Sequence, residues 1–150
     1  MENLDLLKNI RLFLFDMDGT LINSLFFWNI FWEKLGEKYL LDKNFRPDVE
    51  DEKRVRATMF KEAMQLVHEK YVPVASADEL LEFGNALIVW FYSEVVKIKD
   101  GVFEYLDYLK ANNIKMCIAS ATAKDMIKIA VKSCSLEKYF DIKSTFFLSK

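Results

Sequence analysis

Four consecutive apolar residues, Leu12-Phe13-Leu14-Phe15, run directly into Asp16-Met17-Asp18-Gly19-Thr20-Leu21-Ile22-Asn23-Ser24. An unbroken apolar run leaves no wet face, so it reads as a strand covered on both sides, as in a parallel sheet flanked by helices. Ligands of such sheets bind beyond the carboxyl ends of the strands, which is where Asp16 and Asp18 fall. Gly19 lets the backbone turn away sharply and admits a close neighbour.

Beyond this strand the hydrophobic period becomes helical, and no strand signal returns until after residue 97. Trp28, Phe31, Trp32, Leu35 and Tyr39 recur at three and four residues and draw one apolar stripe. A polar break over residues 42–48 leads to a second helix, with Pro47 suited to its first turn. Val55, Met59, Phe60, Ala63, Met64 and Val67 make its stripe, and it ends near Tyr71, ahead of Pro73. Ser76-Ala77-Asp78-Glu79 matches a capping box that opens a third helix, striped by Leu80, Phe83, Leu87, Trp90 and Phe91. Gly84 within it lowers helix propensity by roughly 1 kcal/mol and signals close helix packing.

From Asp100-Gly101 the pattern alternates. A helix with Val102, Tyr105, Leu106 and Leu109 on one face exits at Asn112-Asn113. A short apolar run, residues 116–119, ends in Ser120-Ala121-Thr122; Ile127, Ala130, Val131 and Cys134 then mark another helix, and residues 139–148 hold a third strand signal. The expected architecture is therefore α/β. A Rossmann-like parallel sheet is built from residues 1–23 and 97–150, and residues 24–96 form an all-helical cap inserted at the first strand's tip, positioned to cover it.

Composition narrows the classes. With 52% hydrophobic and 15% aromatic residues there is ample material for a core. The net charge is -2, from 21 basic residues interspersed with 23 acidic ones, so no global field points to nucleic acid or a membrane surface, and any anion site must be local. Residues 1–8 lack the basic start and apolar core of a signal peptide. No apolar stretch approaches the roughly 20 residues of a membrane span. The expectation is a soluble, cytoplasmic chain. Cys117 and Cys134 read as buried packing residues and His68 as a surface residue without a catalytic role.

Two carboxylates two residues apart serve several chemistries. A calcium loop opening at Asp16 would need glycine at its sixth position and glutamate at its twelfth, where the chain has Leu21 and Phe27. A receiver-type phosphoacceptor has no reason to carry a long helical insert there. A purely structural pair capping a turn remains the bland alternative for so short a motif.

The longer string, an apolar tetrad followed by Asp-x-Asp-Gly-Thr-Leu over residues 12–21, resembles the first motif of the haloacid dehalogenase superfamily, and Asn23-Ser24 followed by helices resembles its members with a helical cap. The resemblance extends to Lys99-Asp100-Gly101-Val102 and to Ile118-Ala119-Ser120-Ala121-Thr122. It implies a phosphatase or β-phosphoglucomutase-like enzyme in which Asp16 is the nucleophile and forms an aspartyl phosphate. A carboxylate suits that role because the acyl phosphate is itself readily hydrolysed. Asp18 would act as general acid to the leaving oxygen and then as base toward water. Both acids face an anionic substrate, so Mg²⁺ is the implied cofactor, held by the Asp16 carboxylate and the Asp18 backbone carbonyl. Gly19, Thr20, Ser120, Ala121, Thr122 and Lys124 are the implied phosphate-binding residues, Ser120 supplying the hydroxyl to the transferring group.

The same resemblance shows what is missing. The family's charge-balancing lysine is best matched by Lys150, with Lys143 as the fallback, and no chain remains to supply its fourth-motif acids. Without the strand that carries them the sheet is incomplete and residues 12–15 form an edge, which invites oligomerisation or strand exchange. The reading is thus a Mg²⁺-dependent phosphohydrolase for a small phosphorylated metabolite. The alternatives are a catalytically impaired fragment that works by binding or oligomerisation, and a phosphoglucomutase-type phosphotransferase.

Overall fold

The computed structural model describes residues 10–140 and the backbone of residues 146–147. In chain order the elements are β1 (Leu12–Phe15), α1 (Phe27–Leu35), α2 (Val49–Ala57), α3 (Phe60–Lys70), α4 (Ala77–Trp90), α5 (Val102–Ala111), β2 (Lys115–Ser120), α6 (Lys124–Ser133) and β3 (Phe146–Phe147). They divide into two compact units. One comprises Met1–Leu25 with Tyr92–Lys150 and contains the sheet; the other, Phe26–Phe91, is all helical. The division assigns Ser24 and Tyr92 to the sheet-bearing unit. No helix among the described residues is long and apolar enough to cross a membrane.

The sheet is parallel, in the order β1-β2-β3. Phe15 pairs with Ile118, and Ala119 with Phe146, so the strands end at the same side and the loops leaving β1 and β2 are neighbours. β2 is the strand with buried residues on both faces, Cys117 and Ile118 being adjacent and at most 5% exposed. β1 departs from the expected two-sided cover. Phe13 and Phe15 stack with each other and meet the edge of Tyr105 from α5, but Leu12 and Leu14 are 46% and 57% exposed. The difference goes with position: β1 ends the sheet among the described residues, whereas β2 lies between two strands. The third strand falls within the expected segment, while residues 141–145 and 148–150, including Lys143 and Lys150, lie outside the described residues.

Gly101 opens α5 at φ 79, and Asn113 at φ 56 follows the helix's end. Cys117 and Cys134 are buried, and burial pushes the Cys134 thiol above its ordinary value, as suits packing residues.

In the helical unit the α1 stripe buries Phe31, Trp32 and Leu35, and the chain then widens into a π-helical turn, Gly36–Leu40. The single helix expected from residue 47 to Tyr71 is two. Thr58 and Met59 are extended, and the Thr58 hydroxyl donates to the Arg54 carbonyl at 2.6 Å, offering the backbone an alternative to the helical ladder. Met59 consequently leaves the stripe and is 59% exposed. Asp51 of α2 ties the two helices together, accepting from Lys70 Nζ and Tyr71 Oη, each at 2.6 Å.

Ser76 caps α4 through the Glu79 amide at 3.1 Å, but Glu79's carboxylate accepts the Tyr39 hydroxyl at 3.2 Å. Gly84 is where α4 meets α3: an added Cβ would stand 2.6 Å from the Phe60 ring. Trp90, expected in the core, is 42% exposed at the helix's end.

Candidate active site

Asp16 is the first residue beyond β1 and is exposed, whereas the next side chain, Met17, is wholly buried. The Met17 carbonyl accepts from the amides of Thr20, Leu21 and Ile22 at 3.3, 3.0 and 3.2 Å, winding residues 17–22 into a tight loop. Gly19 makes this possible at φ +77, and a Cβ there would meet the Leu25 side chain at 2.9 Å. The loop is clamped by residues 97–99: Asn23 N donates to the Lys97 carbonyl at 2.8 Å, Lys99 N to the Leu21 carbonyl at 3.0 Å, and Lys99 Nζ to the Gly19 carbonyl at 2.8 Å.

The Asp18 carboxylate is the hub. Ser24 Oγ and Tyr92 Oη each donate to its Oδ1 at 2.7 Å, and Thr122 Oγ1 donates to Oδ2 at 2.6 Å. Tyr92 comes from a π-helical turn, Phe91–Val95, and Thr122 from the loop that leaves β2. Burial first, and then the Asp18 charge and hydrogen bond, push the Tyr92 phenol far above its ordinary value, so it remains a protonated donor. Ser120, 3% exposed at the end of β2, accepts the Thr122 amide at 3.1 Å and so shapes the second loop. Thr20 Oγ1 reaches Asp16 Oδ2 in a long hydrogen bond, 3.4 Å.

The structure therefore draws Asp18, Ser120 and Thr122 together at the strand tips, with Asp16, Gly19 and Thr20 in the adjoining loop. Ala121 is exposed between Ser120 and Thr122, and Lys124 is exposed at the start of α6. Sequence reasoning assigns no role to Ser24, Tyr92 or Lys99. Ser24 lies within the motif itself, and Lys99 is the first residue of the quoted Lys-Asp-Gly-Val string. No periodicity marks Tyr92, which is 74 residues from Asp18.

The two groups that the resemblance implies for a cation, the Asp16 carboxylate and the Asp18 backbone carbonyl, are both oxygens, and no group of three His, Cys, Asp or Glu side chains gathers among the described residues. An oxygen-only, sparse donor set fits Mg²⁺, which retains several waters and is bound through one or two carboxylates plus substrate phosphate. It does not fit a metal that demands nitrogen or sulfur.

Residues 10–149 match the family model of the haloacid dehalogenase-like hydrolases. A curated relative, a phosphorylated carbohydrates phosphatase of Thermotoga maritima, is 25% identical over 130 residues, covering 86% of this chain and 58% of its own. Among solved structures, a Thermotoga maritima protein described as a β-phosphoglucomutase superposes with a TM-score of 0.70 at 22% identity, over 88% of this chain and 59% of its own. A family IA, variant 3 hydrolase of Entamoeba histolytica gives 0.68 at 21% identity, over 92% and 60%. The chain spans a little under two thirds of the length of these relatives.

Proposed function

Because the chain belongs to the haloacid dehalogenase-like hydrolases, we propose that it serves a Mg²⁺-dependent phosphohydrolase acting on a small phosphorylated metabolite through an aspartyl phosphate on Asp16. The observation that carries this reading is the pairing of an exposed carboxylate, Asp16, with a second one, Asp18, held at both oxygens by hydroxyls at the strand tips.

Asp16 attacks phosphorus: an Asp16 oxygen–phosphorus bond forms, the ester P–O bond breaks, and its electron pair leaves on the alcohol oxygen, which takes a proton from Asp18. A water then attacks the acyl phosphate, surrendering its proton to Asp18 and releasing inorganic phosphate, so both carboxylates return to their starting forms. Ser120, Thr20, Gly19 and the loop of Ala121, Thr122 and Lys124 line the ends of β1 and β2, where an anion would be received. Bound Mg²⁺, held by the Asp16 carboxylate and the Asp18 carbonyl, would neutralise charge between those acids and the substrate. The name of the curated phosphatase supports a phosphorylated sugar as substrate and hydrolysis over transfer.

The test is release of p-nitrophenol from its phosphate ester with and without Mg²⁺, in the wild type and in Asp16→Asn. Turnover lost in Asp16→Asn supports the reading. A folded wild-type chain inert across Mg²⁺, Mn²⁺ and Co²⁺ supports the alternative, a non-catalytic relative that acts by binding or assembly.

A further inference from the structure

We propose that Tyr92 is a positioning residue for the Asp18 carboxylate: by anchoring Oδ1 it leaves Oδ2 as the oxygen that exchanges the proton with the leaving alcohol and with water. The inference rests on the phosphohydrolase reading above and adds to it a residue from outside the motif loops.

The geometry separates the two oxygens. Oδ1 is held twice, by Ser24 Oγ and Tyr92 Oη, and Oδ2 once, by the rotatable hydroxyl of Thr122. Two donors converging on one oxygen fix the carboxylate's rotamer and occupy the lone pairs of that oxygen. A proton delivered to Oδ1 would have to displace one of them, whereas at Oδ2 the Thr122 hydroxyl needs only to turn about its Cβ–Oγ1 bond.

Among the three donors Tyr92 is the one that comes from outside the strand-tip loops. Ser24 and Thr122 are short side chains on loops. Tyr92 carries its hydroxyl on a rigid ring that is 9% exposed, and its backbone carbonyl accepts Ser133 Oγ of α6 at 2.6 Å. The residue is thus fixed at both ends, to α6 and to Asp18. Its place in a π-helical turn, a rare geometry often retained at functional sites, agrees with a specific demand on where the phenol points.

A positioning role differs from a structural one in its dependence on the leaving group. Proton delivery matters little when p-nitrophenolate departs and much when phenolate does, and kcat/KM reports only steps up to the first phosphoryl transfer. Tyr92→Phe should therefore lower kcat/KM for phenyl phosphate about 10- to 100-fold, a fraction of the roughly 10²- to 10⁴-fold that general acid catalysis supplies, and for p-nitrophenyl phosphate about threefold or less. Tyr139→Phe is the control. It removes a comparable hydroxyl donated to a carboxylate, at 2.7 Å from Asp107 Oδ1, and should leave the ratio of the two substrates unchanged. In an Asp18→Asn background, Tyr92→Phe should cost nothing further, as expected of residues that act as one unit.

Equal losses on both esters, or a full additional loss in Asp18→Asn, would overturn the role of Tyr92 while leaving the phosphohydrolase reading intact. A wild-type chain that cleaves only the nitrophenyl ester delivers no proton to a poor leaving group and overturns the Tyr92 assignment too. One that cleaves neither overturns the phosphohydrolase reading and this assignment together. If Tyr92→Phe does not fold, Ser133→Ala releases the Tyr92 carbonyl without touching the phenol. It should shift the substrate ratio in the same direction by a smaller factor, and an unchanged ratio refutes the role.

Discussion

Replacing Gly36 by alanine should destabilise the helical unit, against the ordinary rule. Gly36 has right-handed helical geometry, φ -62 and ψ -43, where alanine is normally favoured by about 1 kcal/mol. A Cβ at this position, however, would run into the Asp42 carbonyl oxygen and stand 2.6 Å from Phe45 Cβ. That obstacle is backbone and is pinned from both sides: Asp42 N donates to the Gly36 carbonyl and Phe45 N to the Asp42 carbonyl, each at 3.1 Å. No side-chain rotation can relieve the clash, so the cost lies toward the upper end of the roughly 1–3 kcal/mol seen for overpacking. Subtracting the propensity gain leaves a net loss of about 1–2 kcal/mol, or about 2–8 °C in Tm for a chain of this size. Trp28, Trp32 and Trp90 all lie in the helical unit, so fluorescence-detected urea unfolding reads that unit directly. The midpoint should fall with the slope unchanged. A midpoint that rises would show that residues 42–45 do not pack on Gly36.

Two further outcomes follow from the burial and charge of particular groups. The Lys70 hydrogen bond and then that of Tyr71 hold the Asp51 carboxyl below its ordinary value of 3.8, so its contribution stands in full above that pH and is lost as pH falls through the lower folded value. Asp51→Asn should therefore be less stable than wild type near neutrality, with the gap closing in strong acid; a gap that does not narrow refutes the linkage. Leu14, exposed on the strand that ends the sheet among the described residues, should promote edge-to-edge association, and Leu14→Lys should lower the weight-average mass seen by light scattering without lowering Tm; equal masses at all concentrations would rule out that edge as a contact.

What was legible in the sequence was whatever contiguous residues encode. Helical stripes located α1 and α4, Ser76 marked a helix start, and the apolar tetrad with its two acids marked the strand tip. Reading failed where the deciding contact is remote or the competing force is local and weak. Thr58 breaks a helix that periodicity carries straight through, because a hydroxyl-to-carbonyl bond competes with the helical ladder within one turn. Leu12 and Leu14 match an apolar run buried on both faces, but burial depends on which strand ends the sheet, and residues 12–15 carry no record of that.

The site divides along the same line. Asp16, Asp18 and Ser24 arrive together because one strand and its loop supply them. Thr122 reaches Asp18 across 104 residues because Phe15 pairs with Ile118 in a parallel register that sets the two outgoing loops side by side. A slip of one residue would turn each side chain of β2 to the opposite face. Ser120 would then leave its buried position, and Thr122 would lose its place opposite Oδ2. Tyr92 reaches Asp18 from another segment: its carbonyl accepts from Ser133 on α6, and the clamp of residues 97–99 on the motif loop fixes the stretch that follows it. The acid on which both halves of the proposed reaction turn is thus held from two segments of the chain, the loop that leaves β2 and the turn that carries Tyr92. Neither the Phe15–Ile118 pairing nor the Thr122 hydrogen bond uses the phenol, so removing the Tyr92 hydroxyl should disturb proton delivery while leaving the strand tips in place.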